Sequence, residues 1–261
     1  MGDLDLLTYL AVGVVLLCAS ALQGAVGFAA GLFGIPLLMK VAGLDLPAAI
    51  MVMLLASFLQ NLGGLYHLRE DFNFRDARTP MFIRLATLPL GLVALHYITL
   101  WPQSYVKAVI GVVILALVIL QGLLGRSSLE HREQPLAWGW TPVAFGASGF
   151  LVGFCGMGGP PMVLWTLAQP WSAKHSRAFL FFLFTSSLPF HCLILWWQYG
   201  NEMYIAAMMA LLSIPWVIGG TWIGLWVGSH LRKSRLRVVA YVILVITAIS
   251  AILSPFFGNG S

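Results

Sequence analysis

Acidic side chains are scarce in this sequence, and none of them falls within an apolar stretch. The nine are Asp3, Asp5, Asp45, Glu70, Asp71, Asp76, Glu130, Glu133 and Glu202, each at a terminus or in a connecting segment. Proton relays and many cation sites in membranes rely on interior carboxylates, so their absence argues against a cation carrier. Charge of either sign is sparse as well. Asp, Glu, Lys and Arg make up 9% of the residues, about a third of the usual share, which excludes an ordinary water-soluble domain. Cysteine is limited to Cys18, Cys155 and Cys192, all in apolar stretches and without a Cys-x-x-Cys spacing. Packed free thiols are therefore expected, with no disulfide framework, metal site or cofactor. The net charge of +5 forms no basic stripe interleaved with aromatics, so it is no nucleic-acid footprint; in a membrane protein it records which loops face the cytoplasm.

What is present is apolar: 60% of the residues are hydrophobic. Eight segments of roughly the 20 residues needed to cross about 30 Å of hydrocarbon can be read, near 5–28, 47–66, 80–100, 105–124, 136–155, 178–199, 203–227 and 236–256. Two shorter pieces, near 32–44 and 160–170, each follow a glycine cluster and read as half-helices. Met1-Gly2-Asp3-Leu4-Asp5 carries acid where a secretory leader carries Lys or Arg, so the first apolar segment is expected to be retained. The fold class that follows is an all-α integral membrane protein embedded in a lipid bilayer.

The halves resemble each other. At a shift of 122, Gly24-Ala25-Val26-Gly27-Phe28-Ala29-Ala30-Gly31-Leu32-Phe33-Gly34 meets Gly146-Ala147-Ser148-Gly149-Phe150-Leu151-Val152-Gly153-Phe154-Cys155-Gly156, with six of eleven positions identical and four of those glycine. Further along, Ser57 meets Ser186, Pro89 meets Pro215 and Lys107 meets Arg237. Duplication explains this economically, giving a first transmembrane repeat over 1–125, a connection over 126–135 and a second repeat over 136–261. Each repeat holds about four apolar segments, with glycine-rich broken or re-entrant helices in segments one and five.

Orientation depends on whether those two segments cross. If all eight alternate, one face collects eight basic residues (Lys40, Lys107, Lys174, Arg177, Arg232, Lys233, Arg235, Arg237) and the other five (Arg69, Arg75, Arg78, Arg126, Arg132). If segments one and five turn back as re-entrant hairpins, only Lys40 and Lys107 stay outside, and the split of eleven to two is nearer the positive-inside rule. That arrangement leaves three crossings per half and inverts the repeats, as in many secondary transporters. The length of 5–22 favours the other reading, and both remain open from sequence.

Gly31-Leu32-Phe33-Gly34-Ile35-Pro36 places glycine before proline and reads as a break followed by a new helix with proline in its first turn. Gly156-Met157-Gly158-Gly159-Pro160-Pro161 repeats the pattern. A helix that begins inside a bilayer leaves N–H groups without partners and a partial positive charge, a setting suited to an anion. Close packing through small-xxx-small spacing, as from Gly27 to Gly31 or Gly149 to Gly153, is the competing explanation for the glycines. Gln23, Ser57, Gln60, Asn61, Thr185, Ser186, Ser187 and His191 are polar groups set deep in apolar segments. Ser57/Asn61 and Thr185/Ser186 occupy corresponding places in the two halves. The candidate substrate-binding residues are accordingly Gln23, Gly24, Gly27, Gly31, Gly34, Pro36, Ser57, Asn61, Gly153, Gly156, Gly158, Gly159, Pro160, Pro161, Thr185 and Ser186. Arg84, near the start of its segment, is expected to snorkel to the interface, with a counter-charge to the substrate as the alternative reading. Trp101, Trp138, Trp140, Trp171, Trp196 and Trp197 cluster at segment ends and read as interfacial anchors.

Two other classes compete with a carrier. Gly146-Ala147-Ser148-Gly149 has the Gly-x-Ser-Gly form used by intramembrane serine proteases of the rhomboid family, with His191 as a conceivable base. The first copy, however, keeps the glycines while placing Val26 where the nucleophile would stand. A channel would line a continuous pore with the same glycine-rich termini.

The paired Gly-x-x-Gly-Phe-x-x-Gly-x-x-Gly motifs, the second running into Gly158-Gly159-Pro160-Pro161, resemble the sulfite exporter TauE/SafE family across nearly the whole chain. The length, the duplication and the basic loop at 230–237 also fit; Ala29-Ala30 departs from the glycines many members carry there. The resemblance implies an inner-membrane permease for small sulfur-containing or organic anions such as sulfite, sulfoacetate or related sulfonates, working without enzymatic activity. A homodimer is compatible with the sequence, because lipid-facing and partner-facing surfaces have the same composition.

Overall fold

A computed structural model describes residues 6–26, 30–127, 139–230 and 233–257. Gly27, Asp3, Asp5, Glu130, Glu133, Trp138 and most of the 126–135 connection lie outside the described residues. Among those described the chain is all helix: α1 (Leu6–Val26), α2 (Ala30–Val41), α3 (Leu46–His67), α4 (Phe74–Thr99), α5 (Gln103–Ser127), α6 (Trp140–Cys155), α7 (Gly159–Leu167), α8 (Ala173–Tyr199), α9 (Asn201–Leu212), α10 (Ile214–His230), α11 (Lys233–Ile252) and a last turn, Ser254–Phe257. The expected half-helices are present as α2 and α7. Helices α1, α3, α4, α5 and α8 are long and apolar enough to cross a membrane, and the bent pair α9–α10 would make a sixth span. Helix α6, at 16 residues, reaches only about 24 Å, short of the hydrocarbon thickness.

Two boundaries differ from the sequence reading. The segment expected to run unbroken over 203–227 bends by 51° between α9 and α10. Pro215 is the cause, since it has no N–H to donate and its ring crowds the preceding turn. The Tyr9 hydroxyl takes up the carbonyl of Leu212 at that break, at 3.0 Å. In the first half α2 runs straight through Gly34 and Pro36. Pro36 is thus inside the helix and not in its first turn.

The chain forms two compact units, and each draws on both halves of the sequence. One comprises Met1–Ser57, His96–Val118 and Leu195–Ser261, the other Phe58–Leu95 and Ile119–Ile194. In the first unit α1 lies against α10 backbone to backbone. A Cβ at Gly220 would stand 2.2 Å from the Leu17 carbonyl, and one at Gly224 would stand 2.1 Å from that of Ala21. Lys40, at the end of α2, donates to the Ser250 hydroxyl of α11 at 2.6 Å. Asp45 caps α3 by accepting the Ala48 N–H at 3.2 Å, the usual way to satisfy a first-turn donor.

In the second unit α6 lies against α4 in the same manner. Gly149 faces the Arg84 carbonyl, Gly153 the Leu88 carbonyl and Gly91 the Phe150 carbonyl, all too close for a side chain. Phe145, Met162, Phe179, Leu183 and Ala77 make the buried core of this unit. Trp165 and Trp171 pack onto it, Trp165 5.0 Å from Phe145 and 5.5 Å from Trp171, both edge-on. Trp171 also packs edge-on against Phe179, at 5.0 Å, whereas Trp101, Trp140, Trp196 and Trp197 are exposed.

Candidate functional site

A break at Gly156–Gly158 separates α6 from α7. Gly156 ends α6 in the left-handed conformation, φ 72°, which glycine adopts without a Cβ penalty. Its N–H returns to the Val152 carbonyl at 2.9 Å, and that of Met157 to the Leu151 carbonyl at 3.3 Å. Gly158 then caps α7, with Gly159, Pro160 and Pro161 in the first turn. The cap is pinned from behind: Ser148, fully buried in α6, donates its hydroxyl to the Gly158 carbonyl at 2.5 Å. A Cβ at Gly158 would stand 2.4 Å from the Ser148 carbonyl, so no side chain fits there. Gly159 has room for a methyl group, its nearest neighbour being the Phe184 ring at 3.5 Å. Two prolines in this turn remove two of the N–H groups that a helix terminus would otherwise present, so the α7 terminus is a weaker anion cradle than its glycine content suggests.

The second unit contains Asn61, Gly153, Gly156, Gly158, Gly159, Pro160, Pro161, Thr185 and Ser186. Gln23, Gly24, Gly31, Gly34, Pro36 and Ser57 belong to the first unit. There Gly24 adjoins the Thr221 carbonyl of α10, and Gly34 backs onto Met53 and Ala19. These glycines serve close helix packing, whatever else they do. Ser186 and Ser187 bond back to the carbonyl of Leu183 on their own helix, at 3.3 and 3.2 Å, so their hydroxyl protons are already engaged.

Arg84 is the residue that sequence reasoning misplaced. Far from snorkelling, it is 1% exposed. The apolar segment appeared to start near residue 80, but α4 begins at Phe74. Arg84 is therefore ten residues, about 15 Å, into the helix, beyond reach of that end. Its Nη1 donates to the Leu183 carbonyl of α8, while its Nε and Nη2 have no hydrogen-bond partner. The guanidinium lies 5.6 Å from the centre of the Phe184 ring, the same ring that Gly159 meets. His191, 0% exposed, has neither ring nitrogen partnered, and the Thr185 hydroxyl is likewise buried without a partner. No carboxylate pairs with Arg84 among the described residues. The described acids sit elsewhere: Asp45 at the start of α3, Glu70 and Asp71 in the turn Arg69–Asp71, Asp76 and Glu202 in the first turns of α4 and α9. The only signal for this cluster in the sequence was an arginine and a histidine in segments otherwise free of charge.

Comparison with known proteins agrees with this architecture. The family model described as Sulfite exporter TauE/SafE matches residues 12–251. No curated protein and no solved structure matches the chain.

Proposed function

Because the chain belongs to the sulfite exporter TauE/SafE family of membrane permeases, we propose that it is an inner-membrane carrier of a small sulfur-containing or organic anion, such as sulfite, sulfoacetate or a related sulfonate, working by alternating access. The observation that carries this reading is the helix break at Gly156–Gly158, held in a chain whose apolar stretches contain no carboxylate. A broken helix within an apolar environment needs a compensating partner, and the lack of interior acid gives that partner a negative sign. The substrate-contacting segments are then the α6–α7 break with Asn61, Thr185 and Ser186 in one unit, and Gln23, Gly24, Gly27, Gly31, Gly34, Pro36 and Ser57 in the other.

Duplication is part of the proposal. In each unit the first helix of one half packs through glycine onto a helix of the other half, α1 on α10 and α6 on α4. Such an exchange is what two interleaved copies of one repeat would produce, and it supports repeats over 1–125 and 136–261. The test is flux of sulfite and sulfonates into proteoliposomes containing the purified chain. Saturable flux supports the carrier; an ohmic anion current would make the protein a channel instead.

A further inference from the structure

A guanidinium does not lose its proton in a protein, so Arg84 is a permanent cation. It is buried, and only its Nη1 is bonded, to the Leu183 carbonyl. Burying a charge without a counter-charge is strongly unfavourable, and no acidic side chain in the sequence lies within an apolar stretch to provide one. Among the described residues none pairs with it, so an anion from outside the chain fits as the counter-charge.

The pattern of free donors says what kind of anion fits. Nε and Nη2, the two unpartnered nitrogens, form the side-on edge of the guanidinium, where two N–H bonds run parallel. That edge matches two oxygens carried by one central atom, as in a carboxylate, sulfite, sulfonate or phosphate group. A halide, with one spherical centre, cannot use it as well. His191, on α8, adds a buried imidazole with no partner of its own and lies within range of the Arg84 charge. Phe184 closes one side, 5.6 Å from the guanidinium, and separates it from Gly159 at the head of α7.

We propose that Arg84 and His191 form a buried site for one small oxyanion, gripped side-on by the Nε–Nη2 edge of Arg84, and that the chain has one such site and not two. The count follows from the register of the halves. With Pro89 matched to Pro215, the position corresponding to Arg84 is Ala210; with Ser57 matched to Ser186, that corresponding to His191 is Leu62. Neither can replace the lost group. Duplicated glycine breaks thus frame a site whose charge comes from a single copy. The identification of the bound anion with the cargo rests on the carrier reading; binding itself does not.

Equilibrium binding of radiolabelled sulfite to the full chain in nanodiscs tests this, with chloride as competitor and with lipid that is either zwitterionic or one-third phosphatidylglycerol. The expected result is one sulfite per chain, displaced poorly by chloride, with the same affinity in both lipids. Arg84→Gln should weaken binding at least tenfold. Arg84→Lys keeps the charge but loses the parallel donors, so it should bind sulfite more weakly while discriminating less against chloride; it is read if the Gln variant elutes as aggregate. Two sulfites per chain, wild-type binding in both variants, or displacement of sulfite by phosphatidylglycerol would each overturn the site, the last by assigning it to a lipid headgroup. The two proposals fail separately: binding without any flux would sink the carrier and leave the site, whereas saturable flux with wild-type sulfite binding in Arg84→Gln would do the reverse.

Discussion

The Ser148 hydroxyl of α6 donates to the Gly158 carbonyl at the head of α7, at 2.5 Å, with Ser148 wholly buried. One hydrogen bond thereby fixes the angle at which the chain leaves one helix and begins the next. In an apolar surrounding it is stronger than in water, and an unmade partner is costly. Ser148→Ala should lower stability by about 1–3 kcal/mol, visible as a lower melting temperature in detergent, and should reduce flux. A variant as stable as the wild type would show that the break is held by packing alone.

The two glycines at the head of α7 are predicted to respond differently. Gly158→Ala drives a methyl group into the Ser148 carbonyl and the Val152 side chain, whereas Gly159→Ala meets only the Phe184 ring at an ordinary contact distance. The first should cost at least about 1–3 kcal/mol, the range for overpacking, and abolish flux; the second should leave folded, active protein. Gly159→Leu extends past the methyl and is expected to block flux in a folded chain. Thermal unfolding and flux assays on the three variants separate these outcomes.

A parallel contrast tests the seam between α1 and α10. Gly220 faces the Leu17 backbone with no space for a Cβ, while Gly219, its neighbour, has nothing within 4 Å. Gly220→Val should therefore destabilise the protein and Gly219→Ala should not, as read by monodispersity on size exclusion and by melting temperature. Equal behaviour would mean that the helices do not meet through glycine.

Asp45 carries a pH dependence outside the apolar segments. Burial raises its pKa, partly opposed by the hydrogen bond from Ala48 and reinforced by the charge of Glu202. A raised acid pKa means that the folded state prefers the protonated form. The stability this group contributes is then complete below its unfolded value of about 3.9 and is lost as pH rises through the folded value. Asp45→Asn retains an acceptor for the Ala48 N–H and never ionises. Its melting temperature should exceed that of the wild type at pH 7, with the difference shrinking toward pH 4. A variant less stable at pH 7 would contradict the burial of the charge.

Helix content, the two half-helices and the family were readable from apolar runs and glycine spacing, because both depend on local composition. Three features were not. The bend at Ser213 needed Pro215 to be weighed against an unbroken hydropathy run. Gly34–Pro36 does not start a helix but lies inside α2, because a proline inside an apolar helix can be tolerated when neighbouring groups take up the freed carbonyl. Arg84 looked close to an interface because the polar first turns of α4, around Arg75, Asp76 and Arg78, do not resemble a membrane helix, yet they lengthen it. Each miss concerned where a helix starts or stops, which hydropathy registers poorly.

The most direct test of the carrier reading is the concentration dependence of sulfite flux into proteoliposomes, with sulfoacetate as competitor. Flux that saturates with sulfite, falls with sulfoacetate and vanishes in Gly158→Ala is the predicted result. Flux that rises linearly without saturation, or empty-liposome rates with correctly folded protein, would contradict it.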